Sequence, residues 1–197
     1  MRIALQRVRL AALATLVAVT LASPPPAAAQ SPLPVIRIDN FAQVNERYFR
    51  GAQPEGRDYA DLAALGVKTV INLIGDSDLD EAEQSMVEKQ GMRYVHIPMS
   101  TRAAPTAKQL ETFLSLVNDA ASQPVYVHCV GGRHRTGVMT AVYRMTNDGL
   151  TGDQAFTEMK KFKYGPDFLH PEFKQFVRGF EVKKPAATAV TTGSQQQ

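Results

Sequence analysis

The chain has 197 residues, 44% of them apolar, with 22 basic and 19 acidic side chains. That composition allows one globular domain of ordinary size and excludes a wholly disordered chain. A single cysteine excludes an intramolecular disulfide. The small basic excess does not argue for nucleic-acid binding: Arg2, Arg7 and Arg9 precede Ala29 and no acidic residue does, which leaves 19 charges of each sign beyond it.

In chain order, the three arginines are followed by an apolar run of twelve residues, Leu10 to Leu21. The run is too short to cross a bilayer comfortably. Ser23-Pro24-Pro25-Pro26 breaks it, and Ala27-Ala28-Ala29 supplies small residues for cleavage. This predicts a secretory signal peptide over residues 1–29, an exported mature protein (periplasmic in a bacterium, or secreted) and no stable membrane anchor after cleavage.

Residues 30–183 are expected to form one domain. Val35–Ile38 and Tyr48–Arg50 read as edge strands, and Asp58–Leu65 as a helix ended by Gly66. Val67–Leu73 reads as a buried strand, Asp80–Gln90 as a helix with acidic residues in its first turn, and Arg93–Ile97 as another strand. Thr106 and Gln109 have the spacing of a capping box, with Leu110, Phe113, Leu114 and Val117 on one helical face behind it. Pro124-Val125-Tyr126-Val127 reads as a strand and Thr136–Asn147 as a helix. Thr151 and Gln154 cap a further helix with Phe156, Met159 and Phe162 as its core stripe, and Pro171 opens a last one through Phe173, Phe176 and Val177. Residues 184–197, rich in Ala, Thr and Gln, are expected to be a disordered tail. Strands alternating with helices predict an α/β fold, a central mostly parallel sheet flanked by helices, with the ligand at the carboxyl ends of its strands.

At one such end lies His128-Cys129-Val130-Gly131-Gly132-Arg133-His134-Arg135-Thr136-Gly137. A strand, a glycine-bearing loop and a helix start make an anion cradle, in which backbone N–H groups point inward and the helix dipole adds positive potential. Cysteines at helix N-termini near positive charge are acidified, so Cys129 is the candidate nucleophile toward a bound phosphate. Arg135 can fork two phosphoryl oxygens and hold the charge that grows in the transition state. Val130, Gly131, Gly132, Arg133, His134 and Thr136 complete the expected phosphate-binding set. The glycines permit positive φ and close approach, the Thr136 hydroxyl is placed to bond the cysteine sulfur, and Gly137 to let the helix start pack on the strand. No cofactor or metal is expected; the partner is a phosphorylated substrate, not nucleic acid, and the chain is expected to be a monomer.

The loop resembles the signature of cysteine-dependent tyrosine and dual-specificity phosphatases, His-Cys-x5-Arg-Ser/Thr. Tyr48-Phe49-Arg50-Gly51-Ala52-Gln53-Pro54 and Gly66-Val67-Lys68-Thr69-Val70-Ile71-Asn72-Leu73 are similar to segments of the compact dual-specificity subgroup. Gly132-Arg133-His134-Arg135-Thr136-Gly137 is similar to the loop of the plant and fungal atypical branch, which includes enzymes acting on inositol pyrophosphates. The likeness runs from about Asn45 to Phe180. It implies a tyrosine/dual-specificity phosphatase-like fold and hydrolysis of phosphate monoesters or phosphoanhydrides through a phosphocysteine on Cys129. The alternatives are an inositol-phosphate (phytase-like) hydrolase on the same scaffold and a catalytically weak phosphate-binding module.

One departure stands out. Many relatives carry an aspartic acid on the loop before the helix that precedes the nucleophile strand; it protonates the leaving oxygen and later activates water. Pro98 to Pro105 here holds no carboxylate. Either an acid comes from elsewhere, with His134, Asp76, Asp78 and Asp167 as candidates, or the leaving group needs little protonation. Arg102 could instead bind a further phosphate. Tyr164, Asp167 and His170 sit on a loop placed to border the pocket, and His96 reads as a packed or rim histidine.

Overall fold

Five four-residue strands build the sheet. The computed structural model describes residues 35–182; the expected signal peptide over 1–29 and the tail over 184–197 lie outside them. Strands β2 (Tyr48–Gly51), β3 (Thr69–Asn72) and β5 (Val125–His128) are buried at every residue, as suits parallel strands covered on both faces. With β1 (Ala42–Asn45) and β4 (Arg93–His96) they form one sheet of order β1-β2-β5-β3-β4. The β2/β5, β5/β3 and β3/β4 pairs are parallel, and β1 runs antiparallel to β2.

Two expectations are corrected. Val35–Ile38 is not a strand; the edge strand is β1, after Phe41. Tyr48–Arg50 is a strand but not an edge, because β1 covers one side of it and β5 the other. An alternating pattern of four residues cannot reveal which neighbours a strand finds.

Successive side chains leave opposite faces. Tyr48, Ile71, Val125 and Val127 pack with Phe113 of α3 (Ala107–Asn118) and with Met139 and Tyr143 of α4 (His134–Asn147). Phe49, Val70 and Tyr126 pack with Tyr59 and Leu62 of α1 (Asp58–Ala64) and Val87 of α2 (Ala82–Lys89). A third cluster sets Val138 and Val142 of α4 against Phe156 and Met159 of α5 (Gly152–Lys160) and Phe173 and Val177 of α6 (Pro171–Gly179). Helix α4 therefore has the sheet on one side and two helices on the other. Both capping boxes form, Thr106 with Gln109 and Thr151 with Gln154, each cap contributing on the order of 1 kcal/mol.

Phe162 falls beyond α5 and lies under the Arg50 guanidinium, 3.9 Å from ring centroid to Cζ, rather than on the helix stripe. Gly137 meets α5, not the strand: a Cβ there would stand 3.2 Å from Met159.

The parallel register aligns the strand ends. Gly51 and Asn72 both pair with His128, and His96 pairs with Asn72. The chain segments after β2, β3, β4 and β5 thus leave one edge of the sheet together.

Candidate active site

Between β5 and α4 the chain must turn within five residues, Cys129 to Arg133. Gly132 makes this possible: its φ is +62°, and a Cβ there would lie 2.4 Å from the Gly51 carbonyl, closer than any side chain tolerates. Gly131 keeps a negative-side backbone and faces only the Arg133 side chain, so the need for glycine rests on Gly132.

Two residues the sequence did not single out hold this turn. Asn40, itself at φ +58°, donates from Nδ2 to the carbonyls of Gly131 (3.3 Å), Gly132 (3.1 Å) and Phe162 (2.8 Å). Arg50, 1% exposed, donates from Nη2 to the Gly132 carbonyl. Each peptide plane sets its N–H opposite its C=O. Carbonyls tied outward at Gly131 and Gly132 therefore turn the N–H groups of Gly132 and Arg133 toward the inside of the loop. Burial lowers the Arg50 guanidinium pKa, opposed by the neighbouring Tyr48 hydroxyl and Cys129. An arginine within Tyr48-Phe49-Arg50-Gly51 was the available signal, since a charge inside a buried strand needs a partner.

A cavity of about 420 Å³ is lined by Cys129, Val130, Gly131, Arg133, His134 and Arg135 from the loop and helix start, and by Thr101 and His170 from elsewhere. Cys129 is 3% and Arg135 6% exposed. Arg135 Nη1 reaches the Met99 carbonyl at 3.4 Å, a long contact that ties the guanidinium to the segment after β4. Arg133 is half exposed and pairs with Asp39 at 3.8 Å; Lys163 pairs with the same carboxylate. The Thr136 hydroxyl is buried with no hydrogen-bond partner, so the expected bond to the Cys129 sulfur is not made.

Beneath the loop, His128 Nε2 and Glu83 Oε1 approach to 3.0 Å without the alignment of a hydrogen bond, both side chains fully buried. The other oxygen of Glu83 accepts from Asn72 at 2.6 Å. This polar cluster anchors the strand end that presents Cys129.

The candidate acids separate clearly. His134 is in the cavity. Its Nε2 lies 2.8 Å from the Tyr164 carbonyl, which can only accept, so Nε2 carries a proton. Burial pulls its pKa below the usual 6.5; the Tyr164 bond opposes this, and His170, Arg133 and Arg135 add to it. Asp167 is outside the cavity, bound by Lys160 and Lys174, which pull its carboxyl down to about 2. Asp76 stands 3.9 Å from His96; neither it nor Asp78 nor Arg102 lines the cavity. His96 is a rim residue, its Nε2 on the Ile74 carbonyl at 2.7 Å. His170, placed only loosely by the sequence, does line the cavity. No carboxylate does so among the described residues, and no group of three or more His, Cys, Asp or Glu among them is placed to hold a metal.

Residues 35–178 match the family model described as DSP-PTPase phosphatase fused to NAD+ kinase. The dual specificity protein phosphatase TpbA of Pseudomonas aeruginosa is 29% identical over 157 residues, covering 80% of this chain and 68% of that one. Its crystal structure superposes with a TM-score of 0.61 at 26% identity, over 78% of this chain and 94% of the other. The inositol diphosphatase SIW14 of Saccharomyces cerevisiae is 26% identical over 160 residues, 78% of this chain and 56% of that one. The crystal structure of its core catalytic domain shares the fold, with a TM-score of 0.64 at 23% identity over 75% and 89% of the two chains.

Proposed function

The chain belongs to the family of DSP-PTPase phosphatases described as fused to NAD+ kinase, and from that premise we propose that Cys129 is its nucleophile and Arg135 the fork that grips the phosphoryl group. The enzyme is a cysteine-dependent phosphatase of the dual-specificity type. The observation that carries the residue assignment is the shared cavity: Cys129, at the start of the loop, and Arg135, in the first turn of the 14-residue helix that follows it, line the same cavity. The thiolate attacks phosphorus and the leaving oxygen departs. Arg135 and the inward N–H groups of the loop hold the equatorial oxygens as charge builds on them. Water then cleaves the phosphocysteine. Val130, Gly131, Gly132, Arg133, His134 and Thr136 form the rest of the phosphate site, with the unpartnered Thr136 hydroxyl available to the sulfur or a phosphoryl oxygen as the S–P bond forms and breaks.

Cys129→Ser tests this reading. It should abolish release of p-nitrophenol from p-nitrophenyl phosphate while vanadate binding persists, and acid-quenched wild type should carry phosphate on Cys129. Normal turnover by the serine variant would overturn it; a wild type that binds vanadate but releases no p-nitrophenol would leave only a weak phosphate-binding module.

A second reading, an inositol phosphate or diphosphate as substrate, is favoured by local positive charge: Arg133, which lines the cavity, and Lys163 are both half exposed and share a single carboxylate, Asp39. The relation to an inositol diphosphatase points the same way. Parallel assays with a phosphotyrosine peptide and an inositol polyphosphate separate the two. The proposal extends to export as a monomer: the basic start, the apolar run and Ala27-Ala28-Ala29 support cleavage to a mature N-terminus at Gln30, to be read by mass spectrometry.

A further inference from the structure

The cavity combines a nucleophile and a phosphate fork with no carboxylate to protonate the leaving group. It does hold a second histidine, from a loop distant in sequence from the signature. We propose that His170 is the general acid and base of the reaction, acting through Nε2 and held in place by Thr101 and Glu172. This rests on the phosphatase reading above.

The geometry fixes the tautomer. His170 Nδ1 lies 3.1 Å from the Thr101 carbonyl and 3.3 Å from Glu172 Oε1. Both oxygens accept, so Nδ1 carries a proton, and the position that gains or loses one is Nε2 at the opposite edge of the ring. A carboxylate on one imidazole nitrogen orients the ring and compensates the charge it bears when both nitrogens are protonated. The ring is partly shielded, its side chain 18% exposed. It stacks on Phe173 at 5.6 Å and lies 3.9 Å from the His134 ring. Those contacts fix its place on the cavity wall that also bears Cys129 and Arg135. His134 is less suited to this role: its ring has a backbone carbonyl but no carboxylate to compensate an imidazolium, and burial together with His170, Arg133 and Arg135 favours its neutral form.

In the first step the Cys129 thiolate forms the S–P bond, the P–O bond to the leaving group breaks, and the Nε2 proton of the His170 imidazolium moves to that oxygen. The products are the alcohol or phenol, phosphocysteine and neutral His170. In the second step Nε2 takes a proton from water as its oxygen forms a bond to phosphorus. The S–P bond breaks, hydrogen phosphate leaves, and the thiolate and imidazolium are restored. Glu172 is a positioning residue, since it acts only through the ring.

The test is a leaving-group series of aryl phosphates, from p-nitrophenyl to phenyl and alkyl phosphate, on the mature chain and its His170→Ala, His170→Gln and Glu172→Gln variants. General acid help is worth about 10²–10⁴-fold, and most where the leaving oxygen is most basic. We expect a shallow dependence of kcat/KM, which reports the step that expels the leaving group, on leaving-group basicity for wild type. His170→Ala and His170→Gln should lose at least about a hundredfold with phenyl phosphate and much less with p-nitrophenyl phosphate, so that the slope steepens. Glu172→Gln should lower kcat for phenyl phosphate by about tenfold with KM unchanged, a partial loss of the same effect. The side chain of His170 does not cap α6. Its carbonyl contacts with Tyr164 and Lys174 are made by the backbone, so the variants retain them; a melting curve and vanadate binding check that they fold. An unchanged slope, or an equal loss for every leaving group, overturns the assignment of His170 while leaving the phosphatase intact. A wild type that releases nothing from p-nitrophenyl phosphate overturns the phosphatase reading and this inference with it.

Discussion

Arg50→Met separates the stability of this fold from the competence of its loop. The guanidinium is buried, donates to the Gly132 carbonyl and covers the Phe162 ring at 3.9 Å. Its Nε has no partner. Methionine keeps most of the stem volume and removes the charge. The lost interactions are a hydrogen bond to a charged group, about 1.5–3 kcal/mol, and a desolvated cation–π contact of up to ~2 kcal/mol. Against them stands relief of a buried guanidinium whose desolvation costs several kcal/mol. These opposing effects nearly cancel, so global stability should change by less than about 2 kcal/mol. The loop gains nothing from that relief. Its Gly132 carbonyl would keep only Asn40, at 3.1 Å, and the peptides that aim N–H groups inward would be freer to rotate. Losing about 1.5–3 kcal/mol of restraint corresponds to about a 10- to 150-fold fall in the competent loop population. Because Asn40 remains, the expected fall in kcat/KM is near the lower end, with vanadate affinity falling in parallel. Urea denaturation, steady-state kinetics and calorimetric vanadate titration are the measurements. A variant that melts like wild type and keeps kcat/KM within about threefold, a change below ~1 kcal/mol, would refute the role assigned to Arg50.

Arg135→Lys keeps the charge but loses the bidentate fork, and a drop in turnover of at least about a hundredfold is predicted, the scale of losing a transition-state donor; steady-state kinetics within about threefold of wild type, under ~1 kcal/mol, would contradict it. Glu83→Ala leaves His128 and Asn72 without their buried carboxylate and should cost about 3–5 kcal/mol, read as a fall in melting temperature on the order of 10 °C for a domain of this size. For His134 the folded pKa lies below the usual 6.5, so the unfolded chain takes up its proton first on acidification. Its contribution to stability is complete above pH 6.5 and is lost as pH falls through the folded pKa. Melting temperatures between about pH 8 and 5 should fall more steeply for wild type than for His134→Gln, and parallel curves would contradict the assigned burial.

The sequence by itself determined the class of chemistry. Cys129, Gly132 and Arg135 lie within seven consecutive residues, and so short a loop between a strand and a helix leaves the backbone few ways to turn. Both capping boxes and the alternation of strands and helices were legible for the same reason: they depend on neighbours a few residues apart. What failed was whatever depends on distant partners. Val35–Ile38 has the composition of a strand but finds no strand to pair with, whereas Ala42–Asn45 takes the edge beside β2. Gly137 yields to Met159, and Phe162 to Arg50, across the fold. The braces of the loop, Asn40 and Arg50, act across 92 and 82 positions of chain, and Thr101 meets His170 across 69. The missing acid illustrates the limit. Pro98 to Pro105 holds no carboxylate, and the ring that reaches the cavity comes from His170, just before α6. Spacing along a chain reports only contacts that local backbone geometry enforces; the packing of α4 against α5 and α6 decided where His170 would stand.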